Sequence, residues 1–283
     1  MIINGYCTLD EFKDHLRAGN TDLREDPTDD NVIERIIQQT SRFIDAKTQR
    51  HFYPIVETRY FDTPENTLDD RVLWLDDDLL AVTTVTNGDD TTLSSTEYNL
   101  YPANEYPKYA LRIKQSSDYY WERDSSDNRE QVIDILGFWG YHNDYSRRAW
   151  LTGSTLNEGG ALTSADVTLT VASSVNFEPG DLIKIENELM LVKSKSGSNI
   201  VVYQRGENGS TAATHADTTT VYIWQVIDDI KAACIDIAVG FYKRRYGETT
   251  SGTATITGAG VVITPQDVPA MARDIIASDR RIV

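Results

Sequence analysis

VIDDIKAACIDIAVGFYKRRYG, residues Val226 to Gly247, is the stretch around which the rest of the chain is organised. Its apolar residues Val226, Ile227, Ile230, Cys234, Ile237, Ala238 and Phe241 recur at the three-then-four spacing that gathers them on one face of an α-helix. Asp228 and Asp229 open the segment and Lys243, Arg244 and Arg245 close it, so both charge clusters complement the helix dipole. Gly247 then offers the left-handed backbone that ends a helix. A face that is apolar from end to end must be covered. The natural partner lies far upstream, where Val32, Ile33, Ile36, Ile37, Phe43 and Ile44 keep the same spacing behind a cap at Thr28 or Asp29 and run to about Arg50. The fold class expected from this pairing is α+β, with a helical bundle core of long N- and C-terminal helices, a small antiparallel sheet and an inserted all-β module.

Outward from that pair, Thr8 and Glu11 have the spacing of a reciprocal capping box. A short helix should follow, with Leu9, Phe12 and Leu16 as its stripe and Gly19-Asn20 as its stop. Leu23 to Asp30, acidic and interrupted by Pro27, reads as a loop. From Phe52 to Tyr141 the period changes to two. Thr58–Phe61, Val72–Leu75, Ala81–Thr86, Tyr98–Tyr101, Ala110–Ile113 and Gln131–Leu136 are short strand-like runs punctuated by Asn87-Gly88, Pro102, Pro107 and Gly137. Asp76-Asp77-Asp78 is expected to be a solvated turn between two of them, since the glycine and downstream glutamate of a calcium loop are missing. The rings of Tyr119, Tyr120, Trp121, Phe138, Trp139 and Tyr141 are expected to pack or line an interface.

Leu151 to Trp224 opens with the Gly, Ser and Thr-rich LTGSTLNEGGALTSAD. Strand-like runs then follow at Val167–Val171, Leu182–Ile185, Leu189–Val192, Ile200–Tyr203 and Val221–Trp224, with turns at Pro179-Gly180, Ser196-Gly197 and Asn208-Gly209. After Gly247 the stretch ETTSGTATITGAG has no apolar face and reads as a mobile linker. The last helix carries Val268, Met271, Ile275 and Ile276 as its stripe, flanked by Arg273, Arg280 and Arg281. The domain division expected is a discontinuous helical and sheet body of residues 1–150 and 225–283, an inserted β module of residues 151–224, and within the body a C-terminal docking arm of residues 261–283.

Composition narrows the class. The chain has 283 residues, 40% of them hydrophobic, enough for a sizeable core. Its apolar runs fall short of the ~20 residues of a membrane span, and MIINGYCTLDEF lacks the basic-then-apolar pattern of a secretory signal, so no membrane partner is expected. The two cysteines, Cys7 and Cys234, read as buried thiols rather than a disulfide framework. A net charge of -17 speaks against a surface that grips nucleic acid. The histidines His15, His51, His142 and His215 have no ligand-spaced partners, and no phosphate loop, nucleophile elbow or HExxH is present. No catalytic residue, metal site or cofactor is expected, and the chain reads as a non-enzyme.

Taken together, TLDEFKDHL, DNVIERIIQQTSRFIDAKTQRHF, VIDILGFWGY, VIDDIKAACIDIAVGFYKRRYG and the closing DRRIV occur in an order that resembles the head-tail connector, or adaptor, proteins of tailed bacteriophages. PGDLIKIENELMLV followed by QRGENGSTAATHA looks like a β module of phage virion proteins, a departure from the compact form of that family. The resemblance implies a structural virion protein at the head-tail interface, assembled in the host cytoplasm. It would form a homo-oligomeric ring of twelve copies under the portal protein, extend the DNA channel without binding DNA specifically, and present a surface to a stopper or tail protein. Val268, Met271, Arg273, Ile275, Ile276, Arg280 and Arg281 would then be the portal-docking residues. Two other classes remain open: a tail or baseplate component whose β module binds a virion protein or a host glycan, and a cell-wall hydrolase using scattered carboxylates.

Overall fold

Two antiparallel sheets carry most of this molecule. In the computed structural model, residues 2–16, 27–64, 70–245, 255–256, 262–263 and 268–281 are described. The expected stop at Gly19-Asn20, the helix end at Gly247, the first half of the loop from Leu23 and most of the Gly and Thr-rich linker lie outside the described residues.

The first sheet is built from β1 (Ile55–Phe61), β2 (Val72–Thr86), β3 (Tyr98–Tyr101), β4 (Lys108–Ile113) and β5 (Ile133–Trp139), in the order β1-β5-β2-β4-β3. Alternation on β5 turns Ile133, Ile135 and Trp139 into a core with Phe61, Leu73, Leu79, Val85, Leu111 and Ile113. Trp121 is buried beside them and its indole N–H donates to the Arg71 carbonyl at 3.0 Å, whereas Tyr119 and Tyr120 stay exposed. Trp74, opposite Ala110 in the β2–β4 ladder, is 67% exposed.

The second sheet has the order β6-β11-β8-β9-β10-β7, formed by β6 (Trp150–Thr155), β7 (Thr168–Thr170), β8 (Leu182–Ile185), β9 (Glu188–Ser196), β10 (Asn199–Val202) and β11 (Thr220–Trp224). It closes its own core, among whose members are Leu169, Phe177, Ile183, Met190, Ile200 and Val221. Strand β6 falls where the sequence suggested only a Gly, Ser and Thr-rich opening. Its side chains have no clean alternation, but its backbone pairs with β11 from Trp150↔Trp224 to Thr155↔Thr220. Gly153 lies under the Phe177 ring so closely that a Cβ there would sit 2.5 Å from Cζ. Close packing, not apolar pattern, defines that strand.

Four helices complete the described fold: α1 (Leu9–Leu16), α2 (Asp30–Thr48), α3 (Asp228–Arg245) and α4 (Ala270–Ser278). The capping box forms, with the Thr8 N–H donating to Glu11 Oε2 at 2.8 Å and the Glu11 N–H donating to Thr8 Oγ1 at 3.2 Å. Ile33, Ile37 and Ile44 of α2 pack with Ile230, Cys234 and Ile237 of α3, and Phe12 and Ile276 cover the same cluster from α1 and α4. The expected helical bundle core is nevertheless overturned. These helices are short, of 8, 19, 18 and 9 residues, and make one layer beside a mostly β molecule. Short strands each carry a weak local signal, yet side by side they bury more of the chain than two well-patterned helices do. A two-stranded ladder, β12 (Thr255–Ile256) with β13 (Val262–Ile263), lies between α3 and α4 in sequence.

The two sheets meet along a seam. Leu80 and Phe138 of the first pack with Leu182, Leu189, Leu191 and Trp224 of the second. The Trp224 indole N–H donates to the Phe52 carbonyl at 2.9 Å, and Asn208 Nδ2 donates to the Pro54 carbonyl at 3.0 Å. Gly209 comes so near β1 that a Cβ would stand 2.2 Å from the Val56 carbonyl oxygen.

Candidate functional site

Asp76, Asp77 and Asp78 lie inside β2, not in a turn. The β2–β4 register shifts between Trp74 and Leu79, and this irregularity turns the three carboxylates toward arginines from distant parts of the chain. Arg59 of β1 pairs with Glu57 at 2.6 Å and with Asp77 at 2.7 Å, its guanidinium 4.4 Å from the centre of the Trp139 ring. Arg281 Nη1 donates to Asp77 Oδ1 at 2.7 Å, its Nη2 to the Asp76 carbonyl, and its backbone N–H to the Thr48 carbonyl at 2.8 Å. Arg50 Nε stands 3.0 Å from Asp78 Oδ2 as an ion pair without hydrogen-bond alignment, and Arg50 Nη1 donates to the Asp279 carbonyl at 3.2 Å. Burial raises the Asp78 carboxyl above the usual range, with Arg50 pulling it back. The expected solvated turn is therefore a clamp that holds the C-terminal residues against β2.

This clamp sorts the seven residues expected to dock on a portal. Ile276 is buried, and Val268 and Ile275 are half-buried, all against the chain's own helical layer. Arg281 is half-buried in the clamp. Met271 is 67% exposed, and Arg273 and Arg280 are exposed as well. The apolar stripe is thus covered from within, and Met271 with the exposed Arg273 and Arg280 forms the outer side of the segment.

A second polar centre was missed by spacing. Glu188, at the start of β9, takes a two-pronged contact from Arg205, Nε to Oε1 and Nη2 to Oε2, both at 2.7 Å. His215 Nε2 lies 2.7 Å from Glu188 Oε2 and its Nδ1 2.8 Å from Glu186 Oε2. The side chains of Glu188 and His215 are each 1% exposed, that of Arg205 5%. Burial alone would raise the Glu188 carboxyl, but the Arg205 bonds, the Ala213 N–H and His215 outweigh it and hold it below its ordinary range. The signal available in sequence was a glutamate leading the apolar run of β9, ELMLV, a position that needs a buried partner.

Between the N-terminal segment, α3 and the second sheet runs a cleft of about 280 Å³ whose lining includes Cys7, Glu11, Asp181, Trp224 and Lys231. Lys231 Nζ donates to Glu11 Oε1 at 2.7 Å. Burial pushes the Asp181 carboxyl up to about 7, although it accepts the Glu178 N–H at 2.7 Å. Among the described residues, no cluster of three or more His, Cys, Asp or Glu is placed to hold a metal ion, and no helix is long and apolar enough to cross a membrane. The carboxylates of the clamp and of the Glu188 network are engaged by arginine, an arrangement suited to holding elements together.

Comparison of the chain with protein-family models and with curated proteins finds no match.

Proposed function

We propose that this chain is a structural connector of a tailed bacteriophage, ringed under the portal and joining head to tail. One observation carries the reading: the segments that resemble the adaptor family, distant in sequence, converge in one body. TLDEFKDHL is α1, DNVIERI opens α2, VIDILGFWGY supplies β5, and VIDDIKAACIDIAVGFYKRR is α3. Helices α1 to α4 share one core, and Arg281 of the closing DRRIV is clamped to β2, the neighbour of β5. The excess of 44 acidic over 27 basic residues suits a channel wall along which DNA slides without ionic capture. Residues 151–224 would be an inserted module on that body, and the exposed side of α4, with Met271, Arg273 and Arg280, would face the portal.

The test is a pull-down on portal rings of the same phage with the triple variant Met271→Asp, Arg273→Glu, Arg280→Glu. Lost binding with an unchanged melting temperature is expected. Undiminished binding would remove α4 from the contact, and a reconstruction of the portal vertex lacking this chain would end the connector reading. A tail or baseplate role is favoured by one feature, the separate core of the second sheet, which is that of a free-standing binding module. Labelling virions with an antibody to this chain separates the two locations.

A further inference from the structure

The two cysteines of the sequence stand 227 positions apart, yet their sulfurs lie 3.9 Å from each other. Both residues are buried, Cys7 at 4% exposure and Cys234 at 0%. Their meeting is built by neighbours. Ser41 of α2 accepts the Tyr6 N–H at 3.0 Å, donates to the Ile37 carbonyl at 2.9 Å, and lies 3.7 Å from Cys234 Sγ. The same hydroxyl therefore fixes the backbone beside Cys7 and touches Cys234. Cys7 also forms part of the wall of the cleft between the N-terminal segment and the second sheet, which gives a small solute a route to it.

We propose that Cys7 and Cys234 are an oxidisable dithiol, closed to a disulfide by a hydroperoxide that enters through this cleft. Cys7 sulfur attacks the peroxide, the O–O bond breaks, and Cys7 sulfenic acid and water form. Cys234 sulfur then attacks the sulfenic sulfur, the S–OH bond breaks, and a second water leaves with the Cys234 thiol proton. In sum, both thiols and one hydrogen peroxide give one disulfide and two waters. The sulfurs must approach by about 2 Å to reach disulfide bonding distance, a movement available to Cys7 in the irregular segment ahead of α1. The hydrogen bond to Cys234 and burial hold the Cys7 thiol well above its ordinary range, so closure is slow at neutral pH and quickens as pH rises. The bond would staple the N-terminal segment to α3 across most of the chain, the case in which cross-linking constrains the unfolded state most.

The test uses the full-length protein, treated with hydrogen peroxide, then denatured and exposed to N-ethylmaleimide. The expected product is lighter by two hydrogens, takes up no maleimide, gives a linked Cys7–Cys234 peptide on non-reducing digestion, and melts several degrees higher until dithiothreitol is added. Cys7→Ser should show no such rise. Two maleimides added after peroxide treatment, a sulfinic acid on Cys7 beside a free Cys234, or disulfides formed only between molecules would each overturn the proposal. These mass readouts are made on the natural sequence, so they decide the matter even if Cys7→Ser does not fold.

Discussion

In the second sheet, Glu188, Arg205 and His215 sit 17 and 27 positions apart and close a buried charge network within one sheet and its loops. In the first, Asp77 is reached by Arg59 of β1, within the same sheet, and by Arg281 from 204 positions away, with both arginine side chains partly exposed. The second sheet thus satisfies its buried charges from its own stretch of chain. The first draws one of the two partners of Asp77 from the C-terminal segment. A local network makes a unit self-sufficient, whereas a long-range clamp ties a sheet to a segment outside it.

The largest effect should come from breaking the local network. Glu188→Ala leaves the Arg205 guanidinium and the Ala213 and Gly206 N–H groups without their acceptor, and should cost about 3–5 kcal/mol in urea unfolding. Hydrogen exchange should show β8, β9 and β11 losing protection while β1, β2 and β5 keep theirs. Equal loss in both regions would show that the sheets unfold as one.

A middle-sized effect is expected at Asp181, on the cleft between the second sheet and the helical layer. Its folded value of about 7 lies above the ordinary carboxylate value, so its contribution to stability is full below about pH 4 and is lost as pH rises through 7. Asp181→Asn should therefore melt several degrees higher than the natural protein at pH 8 and equally at pH 4. Parallel pH profiles for the two proteins would mean that the carboxyl is already ionised at neutral pH.

The smallest effect should follow Arg281→Ala, because its partly exposed pairs are screened by water and salt. A loss of about 0.2–1 kcal/mol is expected, shrinking at high salt. Faster hydrogen exchange in α4 alone would place the clamp's role in holding that helix down, and a loss as large as that of Glu188→Ala would erase the contrast between the regions.

The helical layer was legible because α2 and α3 each repeat their apolar spacing over many turns, and the Thr8–Glu11 box is a local rule. Most strands were legible as local runs, Tyr98–Tyr101 and Leu182–Ile185 to the residue, but their joining into two sheets that outweigh the helices was not. A strand of four to seven residues carries little periodic signal, and its stabilising partners are elsewhere in the chain, so two strong helices drew the expected fold toward a bundle. Asp76-Asp77-Asp78 looked like a turn because nothing nearby in sequence neutralises it; Arg59 and Arg281 do so only in three dimensions. For the same reason Cys7 and Cys234 looked like two separate thiols. The stripe Val268, Ile275 and Ile276 was visible as apolar, but spacing does not say whether an apolar stripe is covered by its own chain or by another.

Trp74 gives the molecule an optical handle. It is 67% exposed, whereas Trp121, Trp139 and Trp224 are buried and Trp150 is half-buried. A collisional quencher such as acrylamide will therefore extinguish the red edge of the tryptophan emission first, from one known position on the first sheet. Any molecule that settles on that face, another copy included, will shield this component and shift its emission to the blue, so contact can be followed in solution without a label.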